Sequence, residues 1–254
     1  MHGAWVAKVI DYTVIIPAHN EEKYIARCIE SIHDAEKRCP GRTEIIVVCN
    51  RCTDRTAEIA AANGAKVVYN DERCIARVRN AGIAVARGRI IVTIDADNRM
   101  TAGTLMEIDT LLRGGKTIGG GAPIRFERYS FPLWCNDLLC RISFKITGLY
   151  CGIIWAEKKT FDAIGGFVDK KAMEDAVTAK RLKEYGKRFG KKYTTLRENH
   201  LINSTRKYDD LGDWLYLKLL FKNAGTLIRA SMGDRSGLDK LLDKMFYDYN
   251  DTHK

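Results

Sequence analysis

Through the first half of the chain, short apolar runs alternate with longer stretches in which apolar residues recur every third or fourth position. TVIIPA (13–18), EIIVVCN (44–50), AKVVY (65–69), Ile90–Ile94 and KTIGGGA (116–122) read as strands. The second and fourth show no polar alternation, the signature of a strand covered on both faces. Between them, 21–38 predicts an amphipathic helix with Tyr24, Ile25, Cys28, Ile29 and Ile32 on its apolar face and Asn20 as N-cap. Thr53 or Asp54 caps a second helix to about Ala62, stopped by Asn63-Gly64. A third runs from about Glu72 to Ala86, ended by Gly88, and a fourth from about Thr101 to Leu112. Strands alternating with helices predict an α/β fold: a mainly parallel, Rossmann-like central sheet with helices on both faces.

After Pro123 the rhythm changes. Residues 130–147 read as a helix, IIWAE (153–157) as a strand, 159–164 and 174–185 as helices, and 191–196 as a strand. Residues 209–230 read as one amphipathic, aromatic-rich helix. No internal repeat or low-complexity linker interrupts the chain, so the boundary near 123 is a change of role within one fold.

Composition narrows the class. The chain has 254 residues, 46% of them hydrophobic, enough for a substantial core. No apolar run reaches the ~18 residues of a membrane span. MHGAWVAKVIDY lacks the regions of a signal peptide, so a cytoplasmic location is expected. The 8 cysteines are scattered and read as reduced thiols; Cys49-x-x-Cys52 has no second pair to complete a zinc site. The net charge of +10 suits nucleic acid, an anionic membrane or phosphorylated substrates. No nucleic-acid motif of defined spacing appears, so nucleic acid is not expected as a partner.

The candidate chemistry sits at strand ends. Ile90–Ile94 runs into Asp95 and Asp97. If the extended conformation persists, these two carboxylates point the same way and repel unless a cation joins them. Hard oxygens of this kind suit Mn²⁺ or Mg²⁺. The alternative is turn and cap chemistry ahead of the next helix. Residues 17–21, 49–54 and 95–97 should share one edge of a parallel sheet, where a nucleotide binds. There is neither a G-x-G-x-x-G after the first strand nor a Walker A loop.

VIIPAHNEEKYI, VVCNRCTDRT, ARVRNAGIAVARGRIIVTIDAD, and IGGF followed by MEDAVTAKRL together resemble the family 2 glycosyltransferases of GT-A fold, over roughly residues 12–195. The resemblance implies transfer of a sugar from a nucleoside diphosphate sugar to an acceptor it does not identify, assisted by Mn²⁺ or Mg²⁺. It implies a glycosyltransferase domain over 1–208, with 12–122 binding donor and 123–208 binding acceptor, and a helical tail over 209–254. Pro17, Ala18 and Glu21 match the loop around base and ribose, and His19 stands where an aromatic often stacks on the base. Asn50 falls where the family has a nucleoside-contacting Asp, a departure that leaves base identity open; Asp54 reads as a helix cap. Arg79 matches a basic residue near base or phosphate, with Arg73 and Arg77 nearby. Asp97 matches the metal ligand, and Asp95 a position near the ribose or the metal. Asp175 matches the general base of an inverting transfer, with Glu174 assisting acceptor binding. Gly165-Gly166-Phe167 would let its loop approach the sugar closely. Ser204, Arg206 and Lys207 match a diphosphate-engaging segment, and His200 is a candidate to complete the metal shell.

Two alternatives stand beside this reading. A sugar-phosphate nucleotidylyltransferase should carry a Gly-rich basic first loop, which PAHNEE lacks. A non-catalytic nucleotide-sugar-binding module would be favoured by a broken D-x-D or ED pair, and both are intact. The tail, with Trp214, Tyr216, Leu219, Leu220 and Phe221 and cations at Lys218, Lys222 and Arg229, is expected either to lie peripherally on a membrane or to pack on the domain or a dimer partner.

Overall fold

Every residue of the first strand, β1 (Tyr12–Ala18), is buried, because the sheet is covered on both faces. In this computed structural model, which describes residues 10–169 and 174–223, β1 is followed by α1 (Ile25–Glu36), β2 (Thr43–Asn50), α2 (Thr56–Ala62), β3 (Lys66–Asn70), α3 (Ile75–Val85) and β4 (Ile90–Thr93). Then come β5 (Arg99–Met100), α4 (Thr104–Arg113), β6 (Thr117–Gly121), β7 (Ile124–Phe126), α5 (Phe131–Thr147) and β8 (Ile154–Glu157). The last elements are α6 (Lys158–Ile164), α7 (Glu174–Lys187), β9 (Lys192–Thr195), β10 (Leu201–Asn203), α8 (Arg206–Leu211) and α9 (Leu215–Lys222).

The main sheet has seven strands in the order β3-β2-β1-β4-β8-β6-β9. The pairs β1–β2, β1–β4, β2–β3 and β6–β9 are parallel, and β8 runs against both its neighbours. Side-chain alternation divides the core. Val14, Ile16, Val47 and Val92 meet Ile25, Ile29, Ile32, Leu105 and Ile108 of α1 and α4 on one face. Ile15, Ile46, Val48 and Ile91 meet Val78, Ile83, Phe161 and Leu182 of α3, α6 and α7 on the other. A second, three-stranded sheet, β5-β10-β7, joins a strand following the D-x-D to the chain around 201–203.

Four local differences from the sequence-based expectation have physical causes. Asn20 is left-handed (φ 55) and its side chain accepts from the Thr53 N–H (2.8 Å), so it does not cap α1; that helix begins at Ile25. The chain after β4 turns instead of extending, with Asn98 N–H donating to Asp95 O (3.1 Å). The fourth helix therefore starts at Thr104, after β5. The tail is broken at Gly212 (φ 86) into α8 and α9. Its expected continuation past 223, including Arg229, lies outside the described residues.

Candidate active site

Arg79 lies on α3, beneath the carboxyl edge of the main sheet, with only 3% of its side chain exposed. One terminal nitrogen donates to Glu174 Oε1 (2.5 Å) and Asp175 Oδ1 (2.7 Å), and the other to Asp95 Oδ1 (2.7 Å). Its guanidinium also faces the Phe167 ring, 5.2 Å from the centroid. Burial opposes the arginine's charge, but Asp175, Asp95 and Glu174 together outweigh it and hold its pKa above the ordinary value. The sequence expected Arg79 against base or phosphate. Its donors end instead on carboxylates, so it ties the D-x-D to the ED pair. Arg77 points outward to Asp169 and Glu72, and Arg73 precedes the helix.

The ED pair divides its work. Glu174 is 7% exposed and sits against Arg79. Asp175 keeps 21% of its side chain exposed. Burial pushes its carboxyl up to about 7; Arg79 opposes the rise, and Glu174 and Asp95 add to it.

Across the crevice, Arg206 forks onto Glu21, donating to Oε2 (2.7 Å) and Oε1 (2.9 Å), with its Nε 3.0 Å from Asp97 Oδ2. It also stacks over Tyr24, as does Arg27 from the neighbouring turn. Burial raises Glu21 to about 7 against the pull of Arg206, and burial also raises Asp97. Burial lowers Lys207, with Asp97 opposing. Because the chain turns after Asp95, the two D-x-D carboxylates diverge, Asp95 to Arg79 and Asp97 to Arg206. Ser204 is held by Asn98, whose Oδ1 accepts from its N–H (3.0 Å), and its hydroxyl accepts from the Arg206 N–H (3.3 Å).

The base-side loops are tied by other residues. Pro17 and Ala18 end β1 in register with Val48 and Cys49. His19 Nδ1 lies 2.6 Å from Asn50 O, which makes it the protonated ring nitrogen and fixes the imidazole at the strand end. Asn50 is buried, and its amide donates to Asn70 O (2.7 Å) and Glu72 O (2.8 Å). An ionised Asp has no hydrogens for these carbonyls, so it is the amide of Asn50 that locks β2 to the loop after β3. The N-cap of α2 is Arg55, not the expected Thr53 or Asp54; Asp54, one position earlier, accepts from the Thr56 N–H (3.0 Å) and the Glu22 N–H (3.0 Å) and braces the turn into the helix.

Asn80 is a site residue to which the sequence reading gave no role. Its amide donates to Phe167 O (2.9 Å) and accepts from Phe167 N–H (2.8 Å), pinning the Gly-Gly-Phe turn beside Arg79. Its place next to Arg79 in RN-x-G was the available signal.

A divalent cation fits the chemistry of this edge. Glu21, Asp95 and Asp97 are hard oxygen donors; burial raises Glu21 and Asp97 most, their neighbouring carboxylates add to the rise, and a cation would relieve that repulsion. The backbone N–H of His200 donates to Thr101 Oγ1 (3.2 Å), and burial, with nearby Arg125, lowers the pKa of its imidazole. Among the described residues no set of three or more His, Cys, Asp or Glu side chains is gathered as a ready metal cage.

Residues 13–130 match the model of glycosyl transferase family 2. An uncharacterized glycosyltransferase of Mycobacterium tuberculosis is 33% identical over 109 residues, covering 43% of this chain and 47% of the relative. The match thus spans about half the length of that relative. The TarS structure from S. aureus superposes with TM-score 0.60 at 15% identity, over 83% of this chain and 66% of that one. The mannosyltransferase PcManGT from Pyrobaculum calidifontis, in complex with GDP-Man and Mn²⁺, superposes with TM-score 0.59 at 20% identity, over 76% and 56%. The fold is that of the GT-A glycosyltransferases. Through residues 13–130 the chain is similar to glycosyl transferase family 2.

Proposed function

We propose that the protein moves a sugar from a nucleoside diphosphate sugar to an acceptor hydroxyl, with inversion and with Mn²⁺ or Mg²⁺ on Asp97 and Asp95. The observation that carries this reading is the single guanidinium, Arg79, that joins Asp95 to Asp175. It brings a donor-side carboxylate and an acceptor-side carboxylate to one point of the sheet edge. In the reaction the acceptor oxygen bonds to the anomeric carbon while its proton passes to Asp175. The sugar–phosphate C–O bond breaks and its electron pair leaves with the diphosphate. A single displacement of this kind inverts the carbon. Arg79 orients the base, while Arg206 and Lys207 exchange carboxylate for phosphate partners as donor enters. Bound at the D-x-D, the cation supplies Lewis-acid neutralisation of the departing charge. The Mn²⁺ and GDP-Man of the mannosyltransferase neighbour support this choice of metal and donor class.

The test is calorimetric titration of UDP, GDP, CDP, ADP and dTDP, each with and without Mn²⁺. One diphosphate binding only with metal is the expected result, and it identifies the base that these loops accept. Absence of metal-dependent binding by all five overturns the reading.

A further inference from the structure

The second half of the molecule presents a helix whose exposed face is apolar. On α5, Leu133 and Asp137 turn into the protein. Phe131, Trp134, Leu138, Leu139, Ile142 and Ile146 are exposed, Ile146 by 80% and Phe131 by 68%. At 3.6 residues per turn these positions fall on one stripe roughly 140° wide along the whole helix. An apolar surface so continuous marks an interaction face, whereas scattered exposed residues do not. Aromatic rings thicken one end: Phe131 lies 6.5 Å from Trp134 and 6.4 Å from Trp214, which precedes α9.

The charges on the exposed side of α5 are cationic. Asp137, the sole carboxylate of α5, is buried under Tyr129 and Arg141. Lys145 stands within the stripe and Arg141 at its edge, and Lys218 and Lys222 of the adjoining α9 are exposed. On the flank, Asp209 and Asp213 are both engaged by Arg128. No helix of the described residues is long and apolar enough to cross a membrane, so a lipid contact here lies in the surface.

We propose that this face of α5 docks flat on an anionic lipid bilayer. The aliphatic stripe enters the boundary between headgroups and chains, the aromatic end sits at headgroup depth, and the lysines meet lipid phosphates. Docking stands independently of the transfer reading.

The experiment is co-sedimentation of the full chain with vesicles of phosphatidylcholine containing phosphatidylglycerol, against phosphatidylcholine alone. The parent protein is expected to bind the anionic vesicles, more weakly in high salt, with a blue shift of tryptophan emission that Trp134→Phe diminishes. Ile142→Glu with Ile146→Glu, both at exposed positions, should weaken binding by at least about tenfold. Circular dichroism and melting check that this variant folds; Lys145→Glu with Lys218→Glu, which leaves every apolar residue of the stripe in place, should also weaken it. Failure of the parent to bind, or equal binding by parent and both variants, overturns the proposal. So does light scattering in which the parent is a dimer that Ile142→Glu dissociates, since the face then belongs to a second copy. None of these readouts needs sugar transfer, so failure of docking and failure of the transfer reading remain separable.

Discussion

Arg79 shows how one side chain links two halves of a site. Its replacement by Met leaves Asp95, Glu174 and Asp175 facing one another without their shared cation. Removing one partner of a buried ion pair costs about 3–5 kcal/mol, and a loss of this size should appear in urea unfolding. Arg79→Lys should recover only part of it, because an ammonium does not reach three carboxylates as a planar fork does. Asp175 carries a second prediction. With its carboxyl pushed up to about 7, the group is largely protonated in mild acid and unable to accept a proton. At saturating donor, the transfer rate should climb as pH rises through about 7 and then level. Asp175→Asn should lower that rate by roughly 10²-fold or more while nucleotide affinity, read by calorimetry, stays unchanged. The same shift has a stability sign. A carboxyl raised above its unfolded value favours the folded state below the unfolded pKa, about 4, and that contribution is lost as pH rises to about 7. Unfolding measured from pH 4 to 8 should show this slope reduced in Asp175→Asn. The roles of Asn50 and Asn80 were hidden in the sequence for one reason: each is defined by backbone carbonyls on another element, which only the folded register supplies.

At the scale of elements, the motif that holds Arg79 also holds a packing device. Gly82, one turn further along α3, sits where a Cβ would lie 2.5 Å from Ile15 Cγ2 and 3.1 Å from Val48 Cγ2. Alanine is the better helix former by about 1 kcal/mol, so on an open surface Gly82→Ala would stabilise. Here it must lift α3 from β1 and β2, and overpacking of this kind costs about 1–3 kcal/mol. A lower melting temperature together with weaker nucleotide binding is the expected outcome, since lifting α3 also displaces Arg79. Unchanged values for both would show that the sheet yields freely. The strands of the main sheet and α1 to α7 were legible because each carries a sustained apolar run or a helical stripe. β5, β7 and β10 were not, since two or three residues hold too little pattern to set a period. The tail was misread as continuous because its apolar spacing runs on through Gly212, where a positive φ breaks it.

At the scale of the whole molecule, the balance of charge at the sheet edge makes ligand and metal interdependent. Glu21, Asp95, Asp97, Glu174 and Asp175 face Arg79, Arg206 and Lys207, a surplus of carboxylates that a divalent cation corrects. A nucleoside diphosphate alone adds negative charge to this edge, so it should bind poorly without metal. Metal alone meets Asp97 already engaged by Arg206, so it should bind weakly without a phosphate to draw that arginine away. Supplied together, each removes the obstacle to the other. At 100 times the dissociation constant a ligand stabilises the fold by about 2.7 kcal/mol, which in a protein of this size raises the melting temperature by roughly 5–10 °C. The accepted diphosphate with Mn²⁺ should produce a shift of that order, larger than the sum of the two separate shifts. In Asp97→Ala the excess should vanish, leaving only the small separate effects. Purely additive shifts in the parent protein would mean that the two ligands occupy unconnected places, and the D-x-D would then be no more than the turn it also forms.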